Sequence, residues 1–259
     1  SRIASVPPLP SASPEVVRLV RDPESPSAKV ATAIEYDPSL TMNVLRVANS
    51  SPFGAPQTVG SVREAFSRLV PEYGLQSVLA AAVGKIAEGP MGGYDVSGED
   101  LWDHLIGSAI AATKLTQVLK VNTPEHLFAA ALTHDIGKVV LGTFPEVNAR
   151  AITALALEQR ISFEQAEQKT LGIDHAEVGA FLVEHWCLPM SIVDSVRFHH
   201  RPERAVQNPL IVNLVHVADV VCLMAGVGAS IDALSYRPSS HAMQRLGLQL
   251  GVLDQIVYD

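Results

Sequence analysis

The chain has 259 residues, 47% of them hydrophobic and 5% aromatic, enough for one large domain or two smaller ones with ample core. Its net charge of −8 leaves no basic footprint, so nucleic-acid binding, which needs Lys and Arg to neutralise phosphates, is not expected. Its two cysteines, Cys187 and Cys222, sit in unrelated contexts that suggest neither a disulfide framework nor a CxxC metal pair, and both are expected as small buried hydrophobes.

The chain opens on Ser1-Arg2-Ile3 and runs into prolines, with no secretory apolar region and no initial methionine. A cytoplasmic piece of a longer protein is therefore expected. After the proline-rich arm Val6-Pro7-Pro8-Leu9-Pro10, Ser13-Pro14 carries the cap and first-turn proline of a helix start. Asp37-Pro38 repeats that signal and launches Leu40, Val44, Leu45, Val47 and Ala48, with a stop at Asn49-Ser50-Ser51-Pro52. Ser61-Val62-Arg63-Glu64 is a capping-box pattern that opens a helix from Val62 to Val70, closed by Pro71. A further helix is expected from Leu75 to Glu88.

Gly89-Pro90-Met91-Gly92-Gly93-Tyr94 reads as a linker. Ser97 and Asp100 restart the helical pattern beyond it. The expected architecture is all-α and two-lobed, with residues 1–90 in one lobe and 97–259 in the other, because no alternation of period two is long enough to demand a sheet. The longest apolar stretch, Leu210 to Val227, is interrupted by Asn213, His216 and Asp219, so it is expected as a buried helix rather than a membrane span.

His134-Asp135 is the densest chemical signal, two metal-competent side chains inside an apolar helical stretch from Leu127 to Leu141. Adjacent side chains on a helix can converge on an ion lying between their directions, and a buried imidazole and carboxylate need partners. Lys138 follows on the same face, placed to hold a phosphate. A His-Asp hydrogen bond in a helical core is the plainer alternative. His104 lies near the start of an upstream helix and Asp219 within the apolar downstream one. His175 follows Asp174, which with Glu177 has the pattern of a helix cap, and His199-His200 ends a helix, where a cationic imidazole suits the dipole. Asn213, His216 and Asp219 form a polar stripe that a hydrogen-bond network would also explain.

The order His104, His134-Asp135, Asp219 resembles the four-ligand signature of the HD phosphohydrolase superfamily, all-helical and often metal-dependent. Imidazole and carboxylate donors suit iron, manganese, zinc or nickel. The resemblance implies one or two divalent ions, with His175, His199 and His200 completing a second position as in HD-GYP phosphodiesterases. Two such ions activate a water and steady a leaving oxygen in phosphoester hydrolysis. Under that reading Asp135 and Lys138 are the candidate catalytic residues, with Arg201 as a second phosphate contact.

The first lobe narrows the family. Leu9-Pro10, Asp37-Pro38-Ser39-Leu40, Leu45-Arg46-Val47-Ala48-Asn49-Ser50 and Ser61-Val62-Arg63-Glu64-Ala65 follow one another at spacings that resemble the HDOD family. Leu101-Trp102, Asp174-His175-Ala176-Glu177-Val178-Gly179, Trp186-Cys187-Leu188-Pro189 and Phe198-His199-His200-Arg201-Pro202 extend the resemblance over most of the chain. Val70-Pro71-Glu72-Tyr73-Gly74 departs from it, where a tight Leu-Gly step is expected.

The resemblance to HDOD proteins implies a bacterial signal-transduction module, a response-regulator output, whose partner is a signalling protein or receiver domain, or a nucleotide or cyclic dinucleotide. The Gly-Tyr-Pro loop of HD-GYP enzymes is missing, since His199-His200 is followed by Arg201-Pro202-Glu203-Arg204. The upstream acidic ligand of the two-metal relatives has only Glu99, Asp100 and Asp103 as candidates. A signalling module with a retained metal-type site is the expected function, with a metal-dependent phosphohydrolase of nucleotides or cyclic dinucleotides as the alternative.

Overall fold

A computed structural model describes residues 26–36, 59–73, 92–94, 96–144, 146–185, 188–228, 238–249 and 251–253, and single positions between 19 and 49. The chain divides into two units, Ser1–Ile86 and Ala87–Asp259. Most of the described residues are helical, with no strand among them. None of their helices is long and apolar enough to cross a membrane.

In the first unit, α1 (Ser27–Glu35) packs on α2 (Val62–Tyr73) through Val30, Ala31 and Ile34 on one side and Val62, Ala65, Phe66 and Leu69 on the other. Ser61 starts α2 by accepting the Glu64 N–H at 3.2 Å, while the Glu64 side chain reaches back to the Gly60 N–H at 3.3 Å. Pro71 does not end this helix, which runs on to Tyr73. One turn from a helix end, a proline costs the missing N–H bond and a local adjustment rather than the whole element. Asn49 clasps the Val59 backbone with two bonds, 2.9 Å to the carbonyl and 2.7 Å from the N–H. The helix expected from Leu75 to Glu88, the proline-rich arm, the Ser13-Pro14 start, Asp37-Pro38 and Trp186-Cys187 lie outside the described residues.

In the second unit, α3 (Gly98–Leu119) begins as expected, with Ser97 accepting the Asp100 N–H. It packs against α4 (Leu127–Thr133) and α10 (Pro209–Ala225), whose residues from Ile211 to Cys222 are all buried. α5 (Ile136–Gly142) packs on α8 (His175–His185), which also packs on α9 (Met190–Phe198). α6 (Ala149–Gln159) and α7 (Phe163–Leu171) form a pair beside them, and α11 (Ser240–Leu246) rests on α10. A 3-10 turn, Pro202–Arg204, joins α9 to α10.

The stretch from Leu127 to Leu141 is not one helix. It breaks at His134-Asp135, where Asp135 takes φ −100°, ψ 11°. His134 Nδ1 donates to the Ala131 carbonyl at 2.7 Å, the acceptor the Asp135 N–H would use in an unbroken helix. Side-chain competition of this kind disfavours continuation. Tyr94, placed in the linker by its glycine-rich neighbours, is buried in the second unit, and Gly93 bonds Gly142 and Ala149 through its backbone.

Candidate metal centre

Five segments of the second unit converge. His104 comes from α3, His134 and Asp135 from the corner between α4 and α5, His175 from the first turn of α8, His199 and His200 from the end of α9, and Asp219 from the middle of α10. They form two groups, His104–His134–Asp219 and Asp135–His175–His199–His200. Within each group one donor atom per residue lies within 4.8 Å of the others. The structure thus brings together all seven residues that the sequence singled out as ligands.

Asp135 stands between the groups. Its Oδ1 is 3.2 Å from His175 Nε2 and 3.5 Å from His199 Nε2, and its Oδ2 is 3.7 Å from His104 Nε2 and 3.6 Å from His134 Nε2. Asp219 Oδ1 lies 3.2 Å from His104 Nε2 and 3.6 Å from His134 Nε2. His104 and His134 approach Nε2 to Nε2 at 3.3 Å, and His175 and His200 at 2.8 Å. All but the half-buried His200 are at most 2% exposed.

Burial opposes charge on each of these groups, and the neighbours decide the outcome. The Asp135 carboxyl is desolvated, yet the Lys138 ammonium 2.7 Å away and then His134 hold it well below the usual carboxylate range. Asp219 is desolvated too, and its contacts with His104 and His134 hold it well below that range. His134 is raised despite its burial, by Asp135 and Asp219. His175 is raised further against the same burial, to about 10, by Glu167 and Asp135. His199 and His200 are lowered by burial and by neighbouring imidazoles.

These residues fit a metal. Asp219 Oδ2 and His199 Nε2 are buried with no hydrogen-bond partner, as atoms reserved for a cation would be. The Nδ1 atoms of His134 and His199 bond the carbonyls of Ala131 and Val196, which turns Nε2 into the cluster. A set of imidazole nitrogens and carboxylate oxygens suits a divalent transition ion in either group.

Other sequence candidates fall elsewhere. Glu99, Asp100 and Asp103 are exposed, with Asp100 engaged by the Ser97 cap, so none supplies the upstream acidic ligand. Lys138 is held on Asp135, and Arg201 Nη2 donates to Asp174 Oδ2 at 2.8 Å. Asp174 also caps α8 as its pattern suggested, accepting the Glu177 N–H at 2.8 Å. The polar stripe of α10 divides. Asp219 faces the cluster, while His216 is lowered by burial, donates from Nδ1 to the His199 carbonyl at 2.6 Å and accepts the Ser239 N–H at Nε2. Cys222 is buried, its thiol pushed up to about 12 by desolvation, as a structural cysteine would be.

Sequence reasoning missed Glu167. It is fully buried on α7, and its Oε2 accepts both the His175 backbone N–H at 3.1 Å and Nδ1–H at 2.5 Å. Its Oε1 takes the Tyr94 hydroxyl. The signal was there, because Glu167 shares the apolar face of Phe163 and Ala166 rather than the solvent face. A separate cleft of about 270 Å³, lined by His126, Ser191, Asn208 and Leu210 among others, contains none of these residues.

The fold recurs in a solved HDOD domain protein of unknown function from Geobacter sulfurreducens. It is 25% identical with a TM-score of 0.73, over 98% of this chain and 83% of that one. A Marinobacter aquaeolei VT8 protein, provisionally described as acting in signal transduction, shares the fold at 23% identity and a TM-score of 0.71, over 98% of this chain and 57% of its own. A curated Treponema pallidum (strain Nichols) protein without an assigned function is 28% identical over 218 residues. That match takes in 81% of this chain but only 41% of the relative, so this chain spans about two fifths of its length. The HDOD domain model matches residues 6–202, a span that takes in the whole first unit after its opening residues and six of the seven convergent side chains, all but Asp219. With the family pattern, the helical fold and the buried histidine–aspartate cluster all in agreement, the chain belongs to the HDOD family.

Proposed function

We propose that this chain is a signal-transduction module of HDOD type whose second unit keeps a metal site for structure or sensing and acts through protein or nucleotide binding. The supporting observation is how closed the cluster is. Six of the seven candidate ligands are at most 2% exposed, and the two cations nearest them, Lys138 and Arg201, are already engaged by Asp135 and Asp174. A phosphoester substrate needs open coordination and free positive charge, because positioning carries much of phosphoryl transfer. A signalling protein or receiver domain in a cytoplasmic setting is the partner this reading favours.

The second reading is a metal-dependent phosphohydrolase, and the bridging position of Asp135 favours it. Each of its oxygens faces one group, the arrangement in which a carboxylate holds two ions side by side. When bound, those ions would supply water activation and charge neutralisation. The chain would contribute His104, His134 and Asp219 on one side, His175, His199 and His200 on the other, and Lys138 to fix Asp135.

The deciding experiment loads the purified chain with manganese, iron, zinc or nickel and presents nucleotides and cyclic dinucleotides. The expected result is ion uptake that Asp135→Ala removes, with no turnover above the variant. Turnover that Asp135→Ala abolishes would overturn the signalling reading in favour of hydrolysis.

A further inference from the structure

The two ion positions differ in what lies behind their ligands. His134 and His199 direct Nδ1 at backbone carbonyls, which are neutral acceptors. His175 alone among the described ligands directs Nδ1 at a carboxylate, Glu167. A carboxylate behind an imidazole fixes the tautomer, locks the ring and makes Nε2 a stronger donor. Glu167 is itself fixed, since it also accepts the His175 backbone N–H and the Tyr94 hydroxyl. The Phe163 ring lies 6.4 Å from His175 and 6.2 Å from Tyr94, so apolar packing surrounds the chain of bonds. The Nε2 of His175 is thus held in place before any ion arrives.

The other position carries a handicap. Lys138 Nζ sits 2.7 Å from Asp135 Oδ2, the oxygen that faces His104 and His134, while Oδ1 faces His175 and His199. An ion beside Oδ2 therefore meets a buried ammonium, which offsets the charge that Asp219 brings to that side.

We propose that the two positions are filled in order, the one held by His175, His199 and His200 first, because Glu167 and Tyr94 position His175 while Lys138 weakens the other. This inference rests on the metal reading and adds to it a rank order and two positioning residues.

The test is titration of the metal-stripped full chain with manganese, or with zinc, iron or nickel in turn where manganese does not bind, followed by calorimetry and by counting bound ions. The wild type is expected to show two events at least about tenfold apart in affinity. Glu167→Gln should weaken the tighter event by about 10–100-fold and spare the weaker. Tyr94→Phe, which keeps the ring and its packing, should weaken the same event to a smaller degree. Asp219→Asn should remove the weaker event and leave the tighter. If Glu167→Gln fails to fold, Tyr94→Phe decides. Two equal events, a tighter event untouched by Tyr94→Phe, or one abolished by Asp219→Asn would overturn the rank order while leaving the metal reading intact. A wild type that takes up no manganese, zinc, iron or nickel would overturn both.

Discussion

Gly137 lies directly against the backbone of His175: a Cβ on Gly137 would stand 1.9 Å from the His175 carbonyl oxygen and 2.7 Å from the Gly179 nitrogen. The crossing of α5 and α8 is therefore a contact between backbones, and it sets the separation of Asp135 from His175, each at the start of its helix. Gly137→Ala is expected to cost at least about 3 kcal/mol, since backbone cannot yield as a flexible side chain does. Thermal unfolding checks the stability. Ion counting on the folded fraction should show that the His175 side of the cluster suffers most.

Asp135 and Lys138 are a buried pair, and breaking it is costlier than replacing it. Asp135→Asn removes the carboxylate 2.7 Å from the ammonium and should destabilise the metal-free protein by about 3–5 kcal/mol. The double variant Asp135→Asn/Lys138→Met should recover much of that loss in a denaturant titration. It should not recover ion uptake, because both groups lose their shared carboxylate.

The metal-free protein should weaken toward alkaline pH. His175 is raised from 6.5 to about 10 in the folded state. The stability it contributes is therefore fully present below about pH 6.5 and lost as pH rises through about 10. His199, His200 and His216, held neutral by burial, act in the opposite sense and remove stability as pH falls below their unfolded value. Melting temperatures of the stripped chain across about pH 5–10 should decline at both ends. A steady rise to pH 10 would contradict the assignment of His175.

Ion binding should release protons. The ligands must present lone pairs, so loading the stripped chain near neutral pH displaces protons from His175 and His134, both held above the usual imidazole value. Calorimetry in two buffers of different ionisation enthalpy should give different apparent heats. Identical heats would mean that these rings are already neutral.

Asp174 caps α8 and holds Arg201. Asp174→Ala is expected to cost about 1–2 kcal/mol in chemical denaturation through the lost cap. It should leave ion uptake unchanged, since Asp174 supplies no donor to either group.

The convergence of the seven candidate ligands was legible because their order and contexts resemble a family pattern, and Ser97, Ser61 and Asp174 were legible as caps because capping is a local rule. The break at His134-Asp135 was not. Apolar periodicity continues across it, and only the bond from the His134 ring to the Ala131 carbonyl competes with the helix. Glu167 and Tyr94 were missed for a different reason. Their roles depend on partners 8 and 73 residues away in the chain, and the glycines before Tyr94 mimic a linker. Pro71 looked like a stop because a proline's local effect says nothing of how near the helix already is to its end.

The candidate ligands are drawn from five segments that are far apart in sequence. An ion among them would act as a reversible cross-link, closing long loops as a disulfide does but with a strength set by free ion concentration. An ion at a hundred times its dissociation constant adds about 2.7 kcal/mol to folding. In a marginally stable helical unit that increment is large, so the amount of folded protein would itself follow the supply of metal around it.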